Sequence, residues 1–306
     1  MFNNVLVGVD GGPGGRDAVA LASRLIDPNG KLTLAHVHSG PLHPSHAVTP
    51  GLLREEREAS AKLLEQERAA SEVNAELVSV VAMSAGHGLH QQAEEQDADL
   101  LVVGSCGRGV LGRAMLGDDT RSALNGAPCA IAIASLGYAE HPTPLGKVGV
   151  GYDGSSESEL ALQTARELAQ STRASVEALE VVSLPTYGYT GILPPVTGEG
   201  LDVMLQEANG RMKGLPDGVH GHAVCGLAGE ELAAFANTVD LLIVGSRGYG
   251  PMKRMMLGST SSYLERHGRC SLLVLPRNLL AETTEEEQSA DPEDAHEPVE
   301  THSGVW

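Results

Sequence analysis

Two consecutive α/β units, each a parallel sheet covered on both faces by helices, are what this 306-residue sequence predicts. Three observations carry that prediction. Short β-rich apolar runs alternate with longer stretches of helical period. The whole alternation occurs twice. In each occurrence an apolar strand runs into a turn with the same glycine spacing: LLVVGSCGRGVLGRAMLGDD over Leu100–Asp119, then LLIVGSRGYGPMKRMMLGST over Leu241–Thr260, 141 positions later. The segment NNVLVGVDGGPGGRDAVALASRLI likewise returns as GKVGVGYDGSSESELALQTARELA, with Asp10 and Asp153 143 positions apart. Matching copies at nearly one offset indicate internal duplication.

In the first unit the pattern predicts strands over Val5–Asp10, Lys31–His38, Glu76–Met83, Leu100–Gly104 and Cys129–Ala134. Between them it predicts helices from about Gly15 to Ile26, Leu52 to Ser71, Leu89 to Gln96 and Asp119 to Asn125. The second unit repeats the strands over Val148–Asp153, Ser175–Val182, His220–Cys225, Leu241–Gly245 and Ser271–Leu275. Domain boundaries follow at 1–136 and 146–277, with a tail over 278–306. The connecting stretch from Leu136 to Gly146, rich in Gly and Pro, is too short to hold the units far apart. The last strands, CAIAIA and CSLLVL, are apolar and make hazardous edges if unpaired. Pairing one with the other across a pseudo-twofold axis covers both.

Composition narrows the function classes. The net charge of −19 opposes nonspecific binding to nucleic acid or an anionic membrane. Much of it sits in Ala281–Trp306, which carries nine acidic side chains and no Lys or Arg; that tail is too poor in apolar residues to offset the entropy of ordering and reads as disordered. The four cysteines form no CxxC pair and suit a reducing compartment. With no leader-like start and no apolar run near the length of a membrane span, the chain reads as soluble and cytoplasmic.

The candidate site lies at the carboxyl ends of the strands, where parallel sheets bind ligands. A glycine turn leaving a strand lets backbone N–H groups approach an anion, and a following helix N-terminus adds positive potential. In the second unit Ser259 and Thr260 open such a helix and add hydroxyl donors, while Arg247, Lys253 and Arg254 supply nearby charge. Glycines after a strand also serve tight turns and helix caps, so the spacing matters more than the glycines.

Gly245, Gly248, Gly258 and Ser259 satisfy G-x2-G-x9-G-[ST] in full. With the VGVDG and VGYDG starts and the closing APCAIAIA and GRCSLLVLP segments, the chain resembles the universal stress protein family in its tandem form, over about residues 3 to 276. The resemblance implies two three-layer α/β/α sandwiches with five-stranded parallel sheets, Rossmann-like and similar to the adenine nucleotide alpha hydrolases. In the family's ATP-binding branch it implies a nucleotide, with Mg²⁺ as an accompanying ion. Carried over by position, Asp153 lies near the adenine or ribose and Val181 touches the adenine. Gly245, Gly248, Gly258 and Ser259 hold ribose and phosphates, with Arg247, Gly250 and Thr260 beside them. The first-unit counterparts are Asp10, Val37, Gly104, Gly107 and Gly117.

The first unit departs from the pattern, since Asp118 stands where Ser or Thr is expected. Like charges about 4 Å apart repel by roughly 4 kcal/mol at an effective dielectric of 20, against about 1 kcal/mol for a neutral hydrogen bond. If Asp118 faces the phosphates, repulsion wins unless a bridging Mg²⁺ reverses the sign. Asp118 is equally suited to cap a helix, and Asp10 and Asp153 to form turns that cap the first helix of each unit.

Other signals are weaker. His36, His38, His43 and His46 cluster without a carboxylate or thiol among them, and no metal site is expected. Cys129 and Cys270 occupy equivalent positions and read as small buried residues, while Cys106 lies inside the first glycine turn. Met252, Met255 and Met256 read as packing residues. There is no Walker A sequence and no evident nucleophile and base pair, so no catalytic residue is assigned. The expected function is a nucleotide-responsive stress protein that binds ATP mainly in the second unit. The alternatives are a slow ATPase or nucleotide hydrolase, and an interaction protein that has lost nucleotide binding. Its expected partners are adenine nucleotide and the other half of the chain, with a homodimer left open.

Overall fold

The computed structural model describes residues 1–38, 50–105, 125–142, 144–183, 198–246 and 258–276. The first unit contains β1 (Phe2–Gly8), α1 (Pro13–Leu25), β2 (Ile26–His38), α2 (Pro50–Ser71), β3 (Glu76–Val81), α3 (Ala85–Glu95), β4 (Leu100–Gly104) and β5 (Ala130–Ala134). The second contains β6 (Lys147–Gly151), α4 (Ser156–Thr172), β7 (Ser175–Val182), α5 (Gly198–Lys213), β8 (Val219–Cys225), α6 (Ala228–Phe235), β9 (Leu241–Gly245), α7 (Ser259–His267) and β10 (Ser271–Leu275). The helix expected over Asp119–Asn125 falls almost wholly outside the described residues, as do the methionine run and the acidic tail.

Among the described residues the strands form one ten-stranded sheet in the order β3-β2-β1-β4-β5-β10-β9-β6-β7-β8. Within each unit every pairing is parallel. The β5–β10 pairing is antiparallel, with Leu272 opposite Ile133, Leu273 opposite Ala132 and Val274 opposite Ile131. The central runs LLVVG, AIAIA, LLIVG and SLLVL are buried almost throughout, as strands covered on both faces must be. Their alternate side chains enter two cores: Leu100, Val102 and Ile243 on one face, and Leu101, Val103 and Leu242 on the other.

Several boundaries differ from expectation for local reasons. β1 and β6 stop before Asp10 and Asp153, because each aspartate turns the chain away. Asp10 Oδ1 accepts from the Gly12 N–H at 2.8 Å and Asp153 Oδ1 from the Ser155 N–H at 3.1 Å. Gly11 and Gly154 follow at φ 80° and 76°, a region glycine tolerates. The aspartates therefore form the turn without capping the helix: the N-caps are Gly12 and Ser155, and Ser155 accepts from the Ser158 N–H at 3.3 Å. β2 begins at Ile26, ahead of Lys31, because it pairs back to Phe2 through a register shift. α3 begins at Ala85, where Ser84 caps it; Gly86 and Gly88 break the apolar period that would reveal this turn in the sequence. A Cβ at Gly88 would stand 2.8 Å from Val37, so the glycine lets the helix lie close on β2.

The connection between units is held from both sides. Asp17, buried in α1, accepts from the N–H groups of Gly137 at 2.9 Å and Ala139 at 2.7 Å. Tyr138 between them is buried in the core, and burial raises its phenol pKa above the ordinary value. On the far side Asp240 accepts from the Gly146 and Lys147 N–H groups, both at 2.8 Å. Burial also pushes the thiols of Cys129 and Cys270 up to about 12, which keeps both protonated and unreactive at neutral pH.

Replacement of Asp17 by alanine strips a charged acceptor from two linker N–H groups. Each hydrogen bond to a charged group contributes about 1.5–3 kcal/mol. Asp17→Ala is therefore expected to lower the urea unfolding midpoint by the equivalent of about 3 kcal/mol, and Asp17→Asn by less. An unchanged midpoint for Asp17→Ala would show that the linker is not anchored there.

Candidate functional site

At the carboxyl end of the second unit's sheet, where the connections leaving β6 and β9 diverge, lies a cavity of about 260 Å³. Its walls include Asp153 from the β6 turn, Glu157 from α4, Val181 from β7, Gly245 from β9, and Gly258 with Ser259 and Thr260 at the start of α7. Sequence reasoning put six of these seven in one site. The structure brings those six together. Arg247, Gly248 and Gly250, with Lys253 and Arg254, lie outside the described residues.

The two described glycines of this motif do different work. A Cβ on Gly245 would stand 2.6 Å from Glu157 Cβ and 2.9 Å from its backbone, closer than side chains approach. Gly245 thus lets the first turn of α4 rest directly on the end of β9. Among the described residues a Cβ on Gly258 would meet only Ser261 Oγ, at 4.0 Å, and the φ of −71° suits any residue. Nothing in the packing of the described residues requires glycine at 258. Gly258 does line the cavity.

Gly258 is also the N-cap of α7 and brings no side-chain acceptor. The first amides of a helix have no carbonyl partner within it, so those of Ser259 and Thr260 border the cavity with the positive end of the helix dipole. The donor set of backbone N–H groups and two hydroxyls suits an anionic oxygen. The apolar side is Val181, Leu179, Leu232 and Val244. A lining that combines this apolar side with N–H groups, hydroxyls and the carboxylates of Asp153 and Glu157 suits a flat heterocycle joined to polar groups, and the volume, just under the ~300 Å³ at which ligand pockets commonly begin, matches a nucleoside.

Tyr152, Glu157 and Ser155 escaped the sequence reading. Tyr152 lines the cavity and donates its hydroxyl to Glu159; burial first, and then that bond, push its phenol up to about 12. It follows an alternating strand and looks there like one more core residue. Glu157 reads as an ordinary first-turn acid of a helix, and only its contact with Gly245 reveals it. Beside the cavity, Arg211 grips the buried Glu180 with two N–H groups, Nε reaching Oε2 at 3.2 Å. Asp153 also accepts from the Ser155 hydroxyl, which fixes the turn that lines the cavity.

The first unit has a smaller cavity of about 150 Å³ in the corresponding place, lined by Asp10, Gly14, His36, Val37 and Gly104 among others. Gly107, Gly117, Asp118 and Cys106 lie outside the described residues. Gly104 is the tightest of the motif's described glycines, since a Cβ there would stand 2.0 Å from Gly14 O. His36 Nδ1 bonds to Val9 O at 2.8 Å and His38 Nε2 to Ser79 Oγ at 3.0 Å, so both rings have structural partners. Among the described residues no three His, Cys, Asp or Glu side chains are grouped to hold a metal, and His43 and His46 lie outside them. No helix of the described residues is long and apolar enough to cross a membrane.

The model of the universal stress protein family matches this chain twice, over residues 1–135 and 144–276. A universal stress protein of Mycolicibacterium smegmatis is 28% identical over 299 residues, covering 89% of this chain and 96% of that protein. One from Mycobacterium tuberculosis is 32% identical over 188 residues, covering 58% of this chain and spanning 62% of the relative's length. Among solved structures, a universal stress protein from Archaeoglobus fulgidus superposes with a TM-score of 0.60 at 18% identity, covering 90% of this chain and 98% of that one. A universal stress protein from Pseudomonas aeruginosa gives 0.60 at 15%, covering 94% and 98%. These likenesses are of fold.

The contrast between the glycines is measurable without any ligand. Gly104→Ala and Gly245→Ala each force atoms apart in a packed contact and are expected to destabilise by about 1–3 kcal/mol in urea unfolding. Gly258→Ala is expected to change stability by less than about 0.5 kcal/mol. Equal effects at 245 and 258 would remove the distinction between a packing glycine and a cavity glycine.

Proposed function

The chain belongs to the universal stress protein family, with two family domains in tandem, and we propose that it is a non-catalytic, nucleotide-responsive member that binds ATP mainly in its second unit. One observation carries the reading: Gly258, Ser259 and Thr260 start a helix with no side-chain cap at the wall of a half-apolar cavity, and nothing in the packing of the described residues asks for glycine at 258. In this reading Val181 and its apolar neighbours take the base, Asp153 lies at the ribose, and the α7 amides and hydroxyls take phosphate, joined by Arg247, Gly248 and Gly250. The ATP carries the charge that these groups recognise, with Mg²⁺ as its companion ion.

The first unit is the lesser site. Its cavity is smaller, and its motif ends in Asp118 in place of a hydroxyl. Asp10, Val37, Gly104, Gly107 and Gly117 are its corresponding residues. The antiparallel β5–β10 pairing supports an intramolecular pseudo-dimer, in which one chain supplies both halves. The net charge of −19 argues against nucleic acid and anionic membranes as partners, and the cytoplasm is the compartment that suits free thiols. Hydrolysis is the second reading. It would need Asp153 or a water held near it, and Asp153 is already engaged by the Ser155 N–H and hydroxyl.

Equilibrium titration with ATP tests the proposal. Wild-type chain is expected to bind near one equivalent, and Gly258→Val, which the backbone tolerates, to bind at least about tenfold more weakly. Two equivalents of similar affinity would overturn the preference for the second unit. Absence of binding would favour an interaction protein, and phosphate release abolished by Asp153→Ala would favour an enzyme.

A further inference from the structure

We propose that the first cavity is a regulatory site, and that nucleotide held there fixes the two units on each other through a clasp formed by Asp17, the turn at residues 135–139 and Ser271. The inference rests on the reading above, that this cavity takes a nucleotide as the lesser of the two sites.

Three elements meet at the corner where the first cavity adjoins the seam between the units. The start of α1 is one, since Gly14 and Gly15 line the cavity and the Gly14 carbonyl lies so close to Gly104 that no side chain fits there. Two residues beyond Gly15 on the same helix, Asp17 is buried and accepts from the N–H groups of Gly137 at 2.9 Å and Ala139 at 2.7 Å. The turn that supplies those groups is the second element. It leaves β5 directly, closes through the Tyr138 N–H and the Ser135 carbonyl at 3.2 Å, and buries Tyr138 in the core. The third is β10 of the second unit, whose first residue, Ser271, is fully buried and accepts from the Ser135 N–H at 3.2 Å, with the two hydroxyls 3.4 Å apart. A helix that borders the cavity is thus tied in two hydrogen-bonded steps to a strand of the other unit.

Duplication alone does not account for the clasp. The matching clasp at the other cavity would need Leu160 in the role of Asp17, Pro276 in that of Ser135 and Ala130 in that of Ser271. None can serve, because leucine has no acceptor, proline no N–H and alanine no hydroxyl. The fastening therefore belongs to the first cavity's end of the seam. A ligand that contacts the backbone of Gly14 and Gly15 restrains the first turn of α1, which has no side-chain cap of its own, and with it the carboxylate of Asp17. Less fraying of that turn means fewer excursions in which Gly137 and Ala139 lose their acceptor. Coupling of this kind is reciprocal, so a loosened clasp weakens binding in the first cavity. The smaller cavity then reports its occupancy through the way the second unit is held, a task that does not require it to bind as tightly as its partner.

The test uses the full chain carrying Gly258→Val, so that the second cavity is obstructed and ATP occupies the first. Binding is followed by calorimetry, and amide hydrogen exchange is read residue by residue by NMR without ATP and at saturating ATP. The amides of Ser135, Gly137 and Ala139 are expected to slow at least about fivefold on saturation, while those of Gly146 and Lys147, bound to Asp240 at the far end of the linker, change by less than about twofold. Adding Asp17→Asn is expected to cut the response at Gly137 and Ala139 below about twofold and to weaken ATP binding at least about threefold. Adding Ser271→Ala is expected to remove the response of the Ser135 amide. ATP bound with unchanged exchange at Gly137 and Ala139 would overturn the inference, as would a full response in Asp17→Asn. Equal slowing at Gly146 and Lys147 would show general stabilisation by the ligand and overturn it too. Failure of this chain to bind ATP at all would sink the nucleotide reading of the first cavity, and the inference with it.

Discussion

The close approach of a helix to a strand end shapes everything functional in this protein. Where α1 meets β4, and where α4 meets β9, backbone or Cβ atoms come so near a glycine that no side chain fits between them. That contact draws the first crossover helix over the sheet and leaves a crevice beside it, where the order of strands reverses direction between β1 and β4 or between β6 and β9. The first glycine of the repeated motif is therefore a packing residue before it is a binding residue. It would be needed in a domain that had lost its ligand, which is why its presence in both copies says little about how many sites are active.

The fold was legible because the central strands are written as unbroken apolar runs and because the second copy repeats the first. Agreement between copies separates a real period from an accidental one, and the runs Leu100–Gly104, Leu241–Gly245 and Ser271–Leu275 have the bounds the pattern predicts. The sequence was less informative where a side chain replaces the backbone as hydrogen-bond partner. Asp10 and Asp153 look like strand ends until their carboxylates are seen to hold the N–H two residues on. The motif indicated residues that line the second cavity, Gly245, Gly258 and Ser259. It could not indicate Glu157 or Tyr152, since a first-turn glutamate and a tyrosine after a strand are ordinary residues, and only the folded contact puts them at the cavity.

The copies have diverged at the same places where they can be compared. Arg16 on α1 faces the buried Glu67 on α2 at 3.6 Å. In the second copy Glu159 takes the place of Arg16 and bonds Tyr152, while Arg211 takes the place of Glu67 and bonds Glu180. The signs of the charges at these two helix positions are exchanged, each side chain now bonds a strand or strand-end residue, and a strand carboxylate stands where the first copy has His36. Such a swap keeps the junction satisfied while changing the field at the cavity mouth. Asp17 is similar: it grips the linker in the first unit, and the matching position in the second is the apolar Leu160.

The antiparallel seam between β5 and β10 has a geometric result of its own. Strands on its two sides run in opposite directions, so their carboxyl ends, and the two cavities with them, open at opposite ends of one continuous sheet. The contact between the halves along this seam is the packed β5–β10 strand pair itself. A partner that reads both halves must reach around the molecule, so a complex that senses full occupancy calls for two contact points or two partner molecules.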